Sequence, residues 1–194
     1  MRTTHLLYLH GFRSSPQSAK ARLMAERVRR DHPAVSWCCP QLPPSPAAAL
    51  ALMRELTADW PRESMAVVGS SLGGFYARWL HGRLGCRVAL LNPAIHPARD
   101  LAAYIGEQTS WQNPEERFFF EPRFVDELRE LESQVALPLR DAWALIAQGD
   151  EVLDWREMVA GCAGAHMTVL AGGDHAISDF TNHLDALMRF LDLA

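Results

Sequence analysis

Lysine is almost absent from this 194-residue chain: Lys20 is the only one, and arginine carries nearly all of the positive charge. Acidic residues outnumber basic ones, giving a formal net charge of −4 at pH 7. That balance offers no electrostatic case for a nucleic-acid partner or an anionic membrane surface. The short basic cluster Arg27, Arg29 and Arg30 reads as the solvated end of a helix rather than a binding patch. Long apolar runs are missing too. None reaches the roughly 18 residues expected of a membrane-spanning helix, so no membrane anchor is expected. The opening residues lead directly into a strand-like segment, without the apolar region and cleavage site of a secretory leader, and a cytoplasmic location is the expectation. Cysteine is scarce. Cys38, Cys39, Cys86 and Cys162 include no CxxC pair and no zinc-finger spacing with histidine, so reduced, buried thiols and no metal are expected. On a strand, the adjacent Cys38 and Cys39 would point to opposite faces.

What is present is an ordinary globular composition, 48% hydrophobic and 22% charged, in a chain long enough for one domain with a substantial core. Leu6–Leu9, Val35–Cys39, Met65–Val68, Arg87–Leu91, Trp143–Ala147 and Met167–Leu170 read as six strands. Helices are predicted over 18–30, 47–60, 72–83, 157–162 and 178–191, with Gly85 just past the end of the third. Near-continuous apolar strands alternating with helices indicate an α/β protein whose mostly parallel sheet is covered on both faces. No internal repeat or linker divides the chain, so residues 1–194 are read as a single domain. One stretch breaks the alternation. From about 94 to 140 no strand is predicted, and Trp111, Phe118, Phe119, Phe120 and Phe124 are mixed with many charges. Excursions of this length are often functional. Its aromatic rings either bind a ligand or fasten the excursion to the body.

The strongest local signal is Gly69-Ser70-Ser71-Leu72-Gly73-Gly74, a Gly-x-Ser-x-Gly pattern centred on Ser71. An apolar strand runs into it and a helix runs out, which is the setting of a nucleophile elbow. The turn is tight enough to demand small neighbours at Gly69 and Gly73, and it projects the serine at the carboxyl end of the sheet. A plain glycine-rich strand-to-helix turn and a phosphate-cradling loop are the competing readings, the latter without the Lys-Ser/Thr ending of a P-loop. A serine hydroxyl needs a base, and on this plan the chain order is Ser, acid, His. Among the histidines after Ser71, His81, His96, His166 and His183 fall in helices, at a strand start or ahead of the excursion. His175, in Gly172-Gly173-Asp174-His175, alone stands in the loop after the last strand. Asp150 is the expected acid, first after the preceding strand and beside Gly149; Glu151 and Asp154 are rivals, and Asp154 suits a helix start. The backbone N–H groups of Leu72 and of Phe12, in the loop after the first strand, are the expected oxyanion donors. His10 either shapes that loop or is merely structural.

Together, Leu9-His10-Gly11-Phe12 with Ser14-Ser15-Pro16, the Ser71 elbow, Leu91-Asn92-Pro93-Ala94, Gly149-Asp150-Glu151-Val152-Leu153-Asp154 and Gly172-Gly173-Asp174-His175 resemble the YqiA-type small bacterial esterases. These segments run from the first strand to the last loop. The resemblance implies an α/β-hydrolase fold with a reduced sheet of about six strands, an inserted lid or cap at about 94–140, and hydrolysis of simple acyl esters. On that reading Ser71, Asp150 and His175 form a triad. Trp111, Phe118 and Phe120 are then the candidates to contact a small-molecule acyl ester, and no cofactor is needed. A thioesterase with the same triad, or a non-catalytic binding protein on the same fold, are the alternative expectations.

Overall fold

The computed structural model describes residues 2–193. Among the described residues eight strands occur: β1 His5–Leu9, β2 Ser36–Cys38, β3 Met65–Ser70, β4 Arg87–Leu91, β5 Gly106–Thr109, β6 Arg117–Phe120, β7 Ala142–Ala147 and β8 His166–Leu170. Seven α-helices join them: α1 Ala19–Asp31, α2 Pro46–Leu56, α3 Leu72–Leu84, α4 Pro97–Leu101, α5 Pro122–Glu132, α6 Trp155–Gly161 and α7 Leu184–Phe190. Six strands form one sheet in the order β2-β1-β3-β4-β7-β8, and every pairing in it is parallel. The two-residue side-chain period splits each apolar strand between two cores. Leu7, Leu9, Val67, Val88, Leu90, Ala144 and Ile146 face helices α2 to α6. Leu6, Tyr8, Ala66, Val68, Ala89, Leu91 and Leu145 face α1 and α7. Cys38 packs toward the first core and Cys39 toward the second. Cys86 and Cys162 are buried, whereas Cys38 and Cys39 are only half-buried because β2 is an edge strand. All four are free thiols. No helix among the described residues is long and apolar enough to cross a membrane.

The chain leaves β1 toward β2 on one side and returns to β3 on the other. The strand order therefore reverses between β1 and β3, the place in open α/β sheets where a crevice opens at the carboxyl edge.

Three expectations are corrected. The helix predicted to run from 47 to 60 ends at Leu56, where the Thr57 hydroxyl donates back to the Met53 carbonyl (2.8 Å) and Pro61 lies ahead. The last helix begins at Leu184 rather than 178; Asp174 accepts from both the amide and the hydroxyl of Ser178, holding an irregular turn in which Ile177 has φ 51°. The excursion does contain strands. β5 and β6 pair antiparallel as a separate ribbon, flanked by α4 and α5. α5 fastens this region to the body: Glu127 accepts from Ser45 and the Ala47 amide at the start of α2, and Glu132 accepts from the Ala98 amide at the start of α4. Carboxylates at uncompensated helix N–H groups are favourable there.

Candidate active site

β3 runs directly into α3 through Ser71, which holds φ 55° and ψ −122°. A non-glycine residue there carries about 1–3 kcal/mol of strain, and the surroundings hold it. The Ser71 amide donates to the Leu91 carbonyl (3.0 Å), while its carbonyl accepts from Ala94 and Gly74 (2.9 Å each). The need for glycine on both sides is steric: a Cβ on Gly69 would collide with the Gly73 carbonyl, and one on Gly73 with the Leu9 carbonyl.

Ser71 Oγ lies 3.0 Å from His175 Nε2, and His175 Nδ1 lies 2.7 Å from Asp150 Oδ2. The Asp150 side chain is fully buried, and its other oxygen accepts from the amides of Val152 and Leu153 at 2.8 Å each. An acceptor-only carboxylate at Nδ1 leaves the proton on that nitrogen and makes Nε2 the acceptor for the serine hydroxyl. The rival acids are engaged elsewhere. Asp154 caps α6 by accepting from the Arg156 amide. Glu151 accepts from the His175 backbone amide at 3.0 Å, steadying the loop rather than the ring. Asp174 is tied to Ser178, whose hydroxyl and amide hold its carboxyl below the usual carboxylate range. His81 and His183 are bound to Cys86 and Asp179, away from Ser71.

The loop after β1 lies against the elbow; a Cβ on Gly11 would sit 3.1 Å from that of Ser71. Phe12 and Leu72 line the cavity into which Ser71 and His175 open. Among the described residues, neither the Phe12 nor the Leu72 amide has a protein acceptor. His10 shapes this loop. Its Nε2 accepts from the Leu42 amide (3.0 Å), so Nδ1 carries the proton and donates to the Gly11 carbonyl (2.9 Å). Burial pulls its pKa below the usual imidazole value, which keeps the ring neutral.

A further buttress escaped the sequence reading. Asn92, fully buried just past β4, accepts from the Ala147 amide (2.8 Å) and donates to the carbonyls of Asp174 and His175 (3.0 and 3.2 Å). One side chain thus ties the ends of β4 and β7 to the loop after β8. Its signal was the Asn-Pro stop after an apolar run, with φ 41° at a residue type that tolerates it.

Two clefts meet at Ser71. One, of about 370 Å³, is lined by Leu72, Ala94, Pro97, Leu101, Val152 and Leu153 under the excursion. The other, of about 320 Å³, lies on the α1 side. Trp111 is 65% exposed and lines both. Phe118 lines a neighbouring cleft with His10 and Leu72 that Ser71 does not reach. Phe120 does not face a cleft: at 1% exposure its ring stacks edge-on against Phe12 and Phe124. Its assignment to substrate contact is therefore corrected, since the even positions of β6 point inward and this one fills the join between excursion and body. Of the residues expected at the site, Ser71, His175, Asp150, Phe12 and Leu72 come together, Trp111 stands at the mouth, and Phe118 and Phe120 stand apart.

A parallel sheet reversing order beside a strained strand-to-helix serine, with His and Asp on later loops, is the arrangement of the α/β-hydrolase fold. The same architecture is found in mouse alpha/beta hydrolase domain-containing protein 10, which is 17% identical with a TM-score of 0.68 over 98% of this chain and 91% of its own. It is found also in a structure from the metagenome-derived lipolytic enzymes LipS and LipT (17% identity, TM-score 0.69, 98% of this chain and 94% of that one). Est1E from Butyrivibrio proteoclasticus shares it as well (14% identity, TM-score 0.67, 98% and 86%). The chain belongs, over residues 5–192, to the uncharacterised protein family UPF0227, the YqiA-like family.

Proposed function

We propose that the protein is a serine hydrolase acting on simple carboxylic acyl esters. The observation that carries this reading is the unbroken hydrogen-bonded sequence from Ser71 Oγ through His175 to buried Asp150. His175 Nε2 takes the Ser71 proton as Oγ attacks the ester carbonyl. The carbonyl electron pair moves onto oxygen, where the Leu72 and Phe12 amides receive it; preorganised donors of this kind are worth about 10²–10³ in rate each. His175 then gives its proton to the departing alcohol. Water attacks the acyl-enzyme with the same imidazole as base, releasing the acid. Asp150 fixes the useful tautomer and stabilises the imidazolium. The aliphatic cleft beside Leu72 suits the acyl chain, and Trp111 is placed to cover it.

The test is hydrolysis of a short-chain p-nitrophenyl ester by the wild type and by Ser71→Ala, with circular dichroism verifying that both are folded. Wild-type turnover that falls by at least about a thousandfold in the variant is expected. Equal rates from two folded proteins would overturn the serine reading.

A further inference from the structure

The chain's single lysine stands in the cleft on the α1 side of Ser71. Lys20 is half-buried in the first turn of α1, and its ammonium donates to the carbonyl of Ala176, the residue after His175. An ammonium has three donors, so two remain for a ligand. The cleft wall beside it carries the neutral polar groups of Ser14, Ser18 and Gln112 and no carboxylate, although Asp174 and Asp150 lie near enough to act on the ammonium from behind that wall. The cleft on the other side of Ser71 has mostly aliphatic and aromatic walls, and its charged groups are the carboxylates of Asp100 and Glu151 and the Arg13 guanidinium, which is already bound to Thr109 and stacked on Trp111. The nucleophile thus sits between two clefts of similar size, one whose carboxylates and guanidinium balance in part, the other whose one lining fixed charge is the Lys20 ammonium. An anionic group finds free ammonium donors on the Lys20 side, whereas the second cleft offers it two carboxylates and a guanidinium already engaged by Thr109.

We propose that the Lys20 cleft is a subsite for an anionic group, a carboxylate or a phosphate, on the alcohol part of the ester, while the acyl part occupies the aliphatic cleft. This rests on the reading of Ser71 as nucleophile. The leaving group belongs on the Lys20 side because the aliphatic walls accept the acyl chain, and because His175, which must protonate the departing oxygen, shares its loop with the carbonyl that Lys20 grips. Burial draws the Lys20 pKa down to about 8, against the pull of the carboxylates of Asp174 and Asp150. The other titratable groups on the cleft wall are Tyr8, His10 and His175. The ammonium is therefore charged at neutral pH and loses its charge as pH rises through about 8.

The experiment compares kcat/KM for three butanoyl esters: methyl 4-(butanoyloxy)benzoate, the free 4-(butanoyloxy)benzoate, and 4-(butanoyloxy)phenyl phosphate. Each is measured with wild type, Lys20→Gln and Lys20→Arg. Gln keeps an N–H donor for the Ala176 carbonyl but no charge, whereas Arg keeps charge at every pH used. The ratio of anionic to neutral ester is expected to drop about tenfold in Lys20→Gln and to recover in Lys20→Arg. In wild type that ratio should also fall as pH passes about 8, and in Lys20→Arg it should stay level. Whichever of the two anionic esters shows the larger drop identifies carboxylate or phosphate as the preferred group. A ratio indifferent to the residue at 20 and level through pH 9 would overturn the subsite. If Lys20→Gln does not fold, Lys20→Arg and the wild-type pH series decide alone. The neutral ester with Ser71→Ala separates the two proposals: loss of its turnover keeps the serine reading whatever Lys20 does.

Discussion

The carboxyl edge of the sheet and the excursion over it are built by different means. At the sheet edge, Ser71 follows β3 directly, Asp150 and His175 stand in the loops after β7 and β8, and backbone bonds and buried polar side chains set their positions. The excursion has a short ribbon between α4 and α5, with exposed Trp111 and Phe119, held down by a backbone bond from the Trp111 amide to the Arg13 carbonyl (2.8 Å) and otherwise mainly by side chains. Phe12 meets Tyr104, Phe118 and Phe120 edge-on at 5.1–5.9 Å. Arg13 donates to the Thr109 carbonyl (2.8 Å) and hydroxyl (3.1 Å) and lies 4.0 Å over the Trp111 ring. The proposed chemistry is thus carried by the part whose geometry the backbone dictates, and on the same proposal substrate choice falls to the part held mainly by side chains.

The sharpest way to test that division is Asp150→Asn. The shape is preserved, but the amide favours the wrong His175 tautomer, and kcat should fall by about 10³–10⁴ with little change in KM. An equal fall in a substitution confined to the ribbon would break the comparison. Next in size is Asn92→Ala, which strands a buried amide and two carbonyls. We expect a loss of about 2–4 kcal/mol in denaturant unfolding: the fully buried Ala147 amide accounts for about 1–3 kcal/mol, and the two carbonyls, being only part-buried, add less. Arg13→Ala should leave the fold intact yet lower kcat/KM about tenfold, from a misplacement of the Phe12 amide well under 1 Å. Steady-state kinetics beside a thermal melt would show it; a lowered Tm with unchanged kcat would mean that the clamp serves stability alone.

The smallest expected effect concerns His10. Its folded-state pKa is depressed by burial, so below about pH 6.5 the unfolded chain takes up a proton that the folded one refuses. Stability is then lost as pH falls from 7 toward 5. His10→Gln, which can still accept from Leu42 and donate to Gly11, should show a shallower acid slope in Tm. Identical slopes would remove His10 as the cause.

The same division explains what was legible in the sequence. Parallel strands buried on both faces leave apolar runs, and an elbow leaves glycines where any side chain would strike a carbonyl. Ser71, Asp150 and His175 could therefore be addressed from strand order alone. β5 could not be seen, because Gly106-Glu107-Gln108-Thr109 has no apolar alternation and is a strand only by pairing with β6. Phe118, Phe119 and Phe120 did carry the period: half-buried, exposed, buried. Yet an unbroken aromatic triplet does not say which ring turns inward, and that misplaced Phe120. Asn92 and Lys20 drew attention as a stop signal and a compositional oddity. Their contacts are with residues more than fifty positions away.

Phe12 is held from two sides: its ring packs against the excursion, and on the proposed mechanism its amide serves the oxyanion beside Ser71. Modular redesign would have to respect that junction. A cap transplanted from another hydrolase to change substrate range would need to bring its own socket for this one ring. Without it, the graft would alter the speed of the chemistry while meaning only to alter its target.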